Sequence, residues 1–432
     1  MSRLFLLCPL LWACLFLAAP AWAQDVSTEP EVTLNELVQR ALEHHPQLTI
    51  SRLTQEAARQ RLQSFRSFPN PTLELIPRLS GNREAADSEV LLSQPIDLFG
   101  KRRAAADVKA AELRAAIAKS TFAQRSLIVE VKQAAIDLFA AQEAESLSAA
   151  QMEIAQKFLD AAKRRAELGD VPQVQAQRAE LELLRAQNEL ANAQSARLSQ
   201  LATVNQLVGQ TPKTPLRVAL PEMTDSNFDA GKLTPKKRDQ LLADALKNRP
   251  DLLMAKAELE ALQTQVDVIR KERLPDIKLQ ARRSSFFGDD GSYALRAVVS
   301  MPIFDFGSIK HERRAAQAEA DAQEAAIALK RTQISTQVEQ ALLQLQLQWQ
   351  NVQHFRSGIM PQTLDLVRKT QIGYEQGASS YLEMLEAQRT LRQVQNEYLQ
   401  ALAGTLTSET ALESALGTAY KSPFSNQIID EK

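Results

Sequence analysis

The chain has 432 residues and a formal net charge of -1, from 51 Lys+Arg against 52 Asp+Glu. That balance gives no electrostatic case for nucleic acid as a partner. Glycine is scarce at 13, while Ala, Gln, Glu, Leu and Arg fill long tracts, a composition that favours long helices over a glycine-rich sandwich.

The chain opens with a secretory signal over residues 1–23. Arg3 supplies a positive start, Leu4 to Ala19 is apolar, and Ala21-Trp22-Ala23 forms a cleavage site before Gln24. Cys8 and Cys14 both fall inside this segment, so the mature chain has no disulfide or thiol chemistry. No later stretch approaches the length of a transmembrane helix, so any membrane span must be made of β-strands.

The rest of the chain repeats itself. Ala41-Leu42 followed by Pro46 returns as Ala245-Leu246 followed by Pro250, Phe99-Gly100 as Phe306-Gly307, Gly169 as Gly377, and Gly209 as Gly417. The first repeat covers 24–209 and the second 236–417, with a linker or equatorial segment at 210–235 and a tail at 418–432. Each repeat begins with one helix, expected from about Leu34 to Ser67 and from about Lys236 to Arg273, stopped by Pro69 and Pro71 or by Pro275. Alternating strand segments follow, Thr72–Leu79 and Ser88–Ile96, then Ile277–Phe286 and Tyr293–Ile303. Gly81-Asn82 and Gly288-Asp289-Asp290-Gly291 mark the turns between them.

After Gly100 and Gly307 come helical tracts of roughly 70 residues, about 100 Å long, each expected to run unbroken to a single glycine turn. A return helix of roughly 38 residues follows each turn. Ile334, Val338, Leu342, Leu345, Trp349 and Val352 recur with coiled-coil spacing. Helices this long need partners along their whole length, from this chain and from other copies.

Four strands cannot close a barrel, and an open sheet in lipid leaves backbone groups unpaired at several kcal/mol each. The strands must therefore pair between chains: two copies give about eight strands, three give about twelve and a lumen. Phe65, Phe68, Phe99, Phe286, Phe287, Tyr293, Phe304 and Phe306 flank the strand ends, either as a membrane-interface girdle or as packing at the strand–helix junctions.

This order of elements, twice over after a signal peptide, resembles the TolC family of outer membrane factors. Gln94-Pro95-Ile96-Asp97-Leu98-Phe99-Gly100-Lys101-Arg102 is similar to the second-strand exit of its CzcC/CusC-like heavy-metal efflux branch, and Met301-Pro302-Ile303-Phe304-Asp305-Phe306-Gly307 is the matching exit in the second copy. The resemblance implies a mainly α fold with a small membrane β portion. Long coiled-coil hairpins and four β-strands would complete a trimeric β-barrel and α-barrel. It also implies an outer-membrane efflux duct that extends into the periplasm of a Gram-negative bacterium and docks onto a periplasmic adaptor and an inner-membrane pump.

No catalytic or cofactor motif is visible. His44, His45, His311 and His354 lack the spacing of metal ligands, and the methionines do not cluster. Leu168-Gly169-Asp170-Val171 and Gln376-Gly377-Ala378-Ser379-Ser380 reverse direction between antiparallel helices. The resemblance makes these turns the adaptor-docking tips: Leu168, Gly169, Asp170 and Val171, with Gly377, Ala378, Ser379 and Ser380. Glu383 and Glu386 share one helix face. The resemblance makes them an acidic ring at the periplasmic aperture, with Tyr374 as the turn partner. Ser379 and Gln175 stand where the family's closing bonds use an arginine and an acidic residue. Two other readings remain at this level, a periplasmic coiled-coil adaptor or structural protein, and a type I secretion exit duct.

Overall fold

A computed structural model describes residues 30–76, 89–219, 235–283, 292–304 and 306–417. The signal peptide, the turns at Gly81-Asn82 and Gly288–Gly291, Phe286, Phe287, Asp305, most of the linker and the 418–432 tail lie outside the described residues. The elements form two equivalent series. The first is β1 (Glu31–Thr33), α1 (Leu34–His44), α2 (Pro46–Arg66), β2 (Thr72–Ile76), β3 (Glu89–Ile96), α3 (Lys101–Glu167), α4 (Gln173–Leu207) and β4 (Arg217–Ala219). The second is α5 (Pro235–Asn248), α6 (Pro250–Lys271), β5 (Asp276–Arg283), β6 (Tyr293–Ser300), α7 (Ser308–His354), α8 (Met360–Glu375) and α9 (Tyr381–Leu416).

The helix expected from Leu34 to Ser67 is in fact two. His45 is extended and caps α2 by accepting a hydrogen bond from the Gln47 amide, with Pro46 in the first turn. Arg249 and Pro250 repeat the break between α5 and α6. Proline is tolerated in a first turn, where its missing N–H has no partner to lose. The first long tract is one helix of 67 residues, about 100 Å at 1.5 Å per residue. The second is not. A π turn at Phe355–Ile359 separates α7 from α8, and Met360 donates across it to the Phe355 carbonyl. Pro361 follows immediately, and its ring and missing N–H are incompatible with a regular helix interior.

Among the described residues, the six glycines with positive φ form three equivalent pairs: Gly100 and Gly307, Gly169 and Gly377, Gly209 and Gly417. Core positions pair in the same way. Leu127, Val131, Ala134 and Leu138 pack α3 against α1 and α4, and Ile334, Val338, Ala341 and Leu345 pack α7 against α5, α6 and α9. One unit has thus been built twice, around the same apolar seam.

Three layers stack along the molecule. The sheet has the order β2-β3-β5-β6, all antiparallel. Next comes a row of helices in the order α2, α3, α6, α7, and beyond it a row in the order α4, α3, α9 and α7–α8. The small parallel pair β1-β4 sits at the waist, where the Gln142 side chain bonds the Leu216 carbonyl and the Val218 amide like a further strand. Each of the three layers has four members and two flanks without a neighbour among the described residues.

Candidate channel wall and periplasmic tips

The strand register sorts the sheet into two unlike faces. Successive side chains in a strand point to opposite sides. Leu73, Leu75, Val90, Leu92, Ile277, Leu279, Ala281, Leu295 and Val299 fall on one face. Most are solvent-exposed in the single chain. The other face carries Glu74, Glu89, Ser93, Lys278, Gln280, Arg282 and Arg296, with Ile76, Leu91, Ala294 and Val298 between them. Polar groups on this face bond to one another across the strands. Gln280 donates to the Ser93 hydroxyl at 2.9 Å and accepts from Arg296 Nε at 3.0 Å, and Arg282 pairs with Glu89. A face that is apolar outward and hydrogen-bonded inward suits lipid on one side and a wet lumen on the other.

The motif at the first strand exit is a structural joint. Gln94 donates to the Pro69 carbonyl at 2.8 Å. The Asp97 carboxylate accepts from the amides of Lys101, at 2.9 Å, and Arg102, at 3.0 Å, capping the start of α3. Lys101 pairs with Asp276, and Arg102 reaches the carbonyls of Ser64 and Ser67. Phe68, Phe99, Phe304 and Phe306 are exposed at this end of the sheet, and Tyr293 at the other.

At the far ends of the hairpins, both turns close in the same way. Gly169 donates to Ala166 O and Asp170 to Arg165 O, while Gly377 donates to Tyr374 O and Ala378 to Gly373 O. Both are six-residue C-terminal caps that need a left-handed residue, and Gly169 and Gly377 supply φ of +81° and +74°. Leu168 is exposed beside the first turn. Val171 precedes Pro172, which opens α4 without a side-chain cap. Ser379 packs against Gly373, where an added Cβ would collide with the Ser379 hydroxyl.

Ser380 and Glu383 cap α9 reciprocally, the Ser380 amide donating to the Glu383 carboxylate at 2.8 Å and the Glu383 amide to the Ser380 hydroxyl at 3.2 Å. Glu383 therefore has a local structural role, which the Ser380-x-x-Glu383 spacing signals and which its reading as an aperture residue leaves out. Glu383 and Glu386 are both exposed. Tyr374 is partly buried, with the Arg165 guanidinium 5.0 Å from its ring centroid and the Tyr381 ring at 6.2 Å. Burial, and after it the Glu182 carboxylate, push the Tyr381 phenol pKa up.

The two hairpins are held together by pairs that sequence reasoning missed. Arg389 of α9 binds Glu182 of α4, and Arg392 binds Glu189 at 3.1 Å. Lys132 of α3 pairs with Glu413 of α9, both largely buried. Between the hairpins, Glu130, Gln133, Asp137, Gln337, Gln344 and Thr407, together with apolar residues such as Val129, Leu343 and Leu347, line an open concavity of about 1200 Å³. His44 bonds the Arg40 carbonyl, His45 caps α2, and among the described residues no three His, Cys, Asp or Glu side chains come together as a metal site. None of the described helices is long and apolar enough to cross a membrane.

The chain matches the family model for outer membrane efflux protein twice, over residues 37–210 and 241–418. It is 27% identical over 356 residues to the cobalt-zinc-cadmium resistance protein CzcC of Cupriavidus metallidurans, covering 82% of each chain. It is 28% identical over 350 residues to the pyoverdine export outer membrane protein OpmQ of Pseudomonas putida, covering 78% of this chain and 71% of OpmQ. Its fold matches the Campylobacter jejuni CmeC outer membrane channel with a TM-score of 0.77 at 16% identity, covering 90% of this chain and 86% of CmeC. The doubled match, the two-faced sheet and the paired hairpins agree: the chain belongs to the outer membrane efflux protein family, as a channel through which efflux crosses the outer membrane.

Proposed function

We propose that three copies of the mature chain form a passive exit duct. The β-strands close a barrel in the outer membrane, and the long helices continue it across the periplasm. The observation that carries this reading is the four-stranded sheet, apolar on one face and polar on the other, whose edge strands β2 and β6 have no partner among the described residues. Unpaired strand edges in lipid cost several kcal/mol per backbone group, so copies must supply the missing partners. The open flanks of both helix rows call for the same closure. Three copies give about twelve strands, enough for a lumen, whereas two give about eight, filled by side chains. Exposed Phe68, Phe99, Phe304 and Phe306 at one end and Tyr293 at the other suit the two membrane interfaces.

In this reading residues 1–23 are the signal peptide, 24–209 and 236–417 are the two repeats, 210–235 is the waist linker and 418–432 the tail. The duct performs no covalent step and binds no cofactor. An inner-membrane pump and a periplasmic adaptor supply energy and opening. The adaptor meets the tips at Leu168, Gly169, Asp170, Val171, Gly377, Ala378, Ser379 and Ser380. The pump, rather than this chain, selects the cargo; the two named relatives are associated with different cargoes, metals for CzcC and pyoverdine for OpmQ. The test is N-terminal sequencing and native mass of the detergent-extracted protein. A mature start at Gln24 and a trimer from the outer-membrane fraction are expected. A water-soluble monomer sinks the proposal.

The aperture is the second part of the reading. Glu383 and Glu386 from three chains place about six carboxylates around the closed opening, with Tyr374 beside the turn. Replacing both by Gln preserves the reciprocal cap at Ser380, because a side-chain amide oxygen accepts the same bond. The double variant should lower cation selectivity and relieve block by trivalent cations in planar bilayers. Selectivity and block equal to the unmodified channel would reduce these residues to a solvated helix face with one cap.

A further inference from the structure

Among the described residues, the apolar face of the sheet carries one charge. Among the described side chains that the register places there, Arg283 is the single ionisable cation or carboxylate, in a field that includes Leu75, Val90, Leu92, Leu279 and Leu295. It is the last residue of β5 and lies opposite Tyr293, the first residue of β6. That places it at the end of the sheet remote from α6 and α7. The preceding residue, Arg282, points to the polar face and is neutralised by Glu89. Among the described residues, Arg283 has no such carboxylate. Its guanidinium carbon sits 5.4 Å from the Tyr293 ring centroid, and its Nε is shielded from solvent without a hydrogen-bond partner among the described residues.

A lone guanidinium facing lipid is costly near the bilayer centre and tolerated at the rim, where headgroups reach it. The ring of Tyr293 fixes the plane of the guanidinium and reduces the entropy lost on binding. A planar fork held in this way matches the oxygens of a phosphate. On the reading above, the long helices lie in the periplasm, so this end of the sheet is level with the external leaflet. Phosphate at that level in such a membrane is carried by phosphorylated glucosamine lipid.

We propose that Arg283 and Tyr293 form a lipid-binding site on the outside of the barrel, which takes a phosphate of an external-leaflet glycolipid. The inference rests on the outer-membrane reading of the sheet. It adds a ligand class and a location that the duct function does not require.

The experiment is native mass spectrometry of the full mature protein in detergent, offered bis-phosphorylated lipid A, dephosphorylated lipid A, phosphatidylglycerol or phosphatidylcholine in turn. The unmodified protein should retain bis-phosphorylated lipid A and release the other three. Arg283→Gln should retain about tenfold less, the scale of one charge-assisted pair, and Arg283→Lys an intermediate amount because a point charge lacks the fork. Tyr293→Phe, which keeps the ring face, should retain as much as the unmodified protein, and Tyr293→Ala less. Equal retention by Arg283→Gln overturns the site. Equal retention of phosphatidylglycerol overturns its assignment to the glycolipid. The same spectra report the assembled mass, so a protein that never forms an oligomer marks failure of the duct reading rather than of the lipid site.

Discussion

The two hairpins share one plan and differ in their outer halves. In the first, α3 runs 67 residues without interruption to the Gly169 turn. In the second, the same distance is divided into α7, a π turn at Phe355–Ile359, and an α8 of 16 residues that starts at Met360-Pro361. The return helices differ as well. Helix α9 starts on the reciprocal cap between Ser380 and Glu383, whereas α4 starts at Pro172 with no side-chain cap. Duplication preserved the apolar seam and the positive-φ glycines, which set the register. It left free the distal half of the second hairpin, where one proline suffices to replace α-bonding by a wider turn. Glycine closes both tips alike because the left-handed residue of the cap is a backbone requirement.

The largest expected effect probes where the two copies meet their own break. A Cβ on Gly417 would lie 2.8 Å from Arg249 Cα, whereas on the equivalent Gly209 it would lie 3.3 Å from His44 Cβ. Both sit at positive φ. Gly417→Ala should cost about 2–4 kcal/mol, the sum of backbone strain and overpacking, and Gly209→Ala about 1–2 kcal/mol. Chemical denaturation of the two variants measures the gap; equal losses would mean that the second junction yields as easily as the first.

At the tips the comparison should vanish. A Cβ added to Gly169 or to Gly377 would meet no atom within 4 Å, so only backbone strain opposes a side chain there. Gly169→Val and Gly377→Val should each cost about 1 kcal/mol and impair adaptor crosslinking more than trimer assembly. Unchanged crosslinking and efflux in both variants would remove the tips from the docking surface.

The smallest effect should again separate the copies. Ser380→Ala removes a cap worth about 1 kcal/mol and should speed amide exchange in the first turn of α9. Pro172→Ala should leave exchange in the first turn of α4 nearly unchanged, since no side-chain bond is lost there. Similar exchange at both starts would show that tertiary packing, not the cap, holds α9.

Much of the molecule could be read from neighbouring residues, because the signals are local. Alternation of Leu73 and Leu75, or of Ile277, Leu279 and Ala281, places strands. A glycine between two helical tracts marks a left-handed cap, and the spacing from Ile334 to Val352 marks a buried seam, each of whose six apolar positions is buried. Proline was ambiguous for a physical reason. Pro46 and Pro250 begin helices where a break in one helix had not been expected, and Pro361 interrupts a tract expected to be continuous. Whether a proline starts, kinks or widens a helix depends on what packs around it. Contacts between the repeats had no local signal at all. Arg389 meets Glu182 across 207 positions of sequence, and Arg165 meets Tyr374, because the hairpins lie side by side. The largely apolar outward face of the sheet, and the place of Arg283 on it, likewise exist only once β3 of the first repeat has paired with β5 of the second.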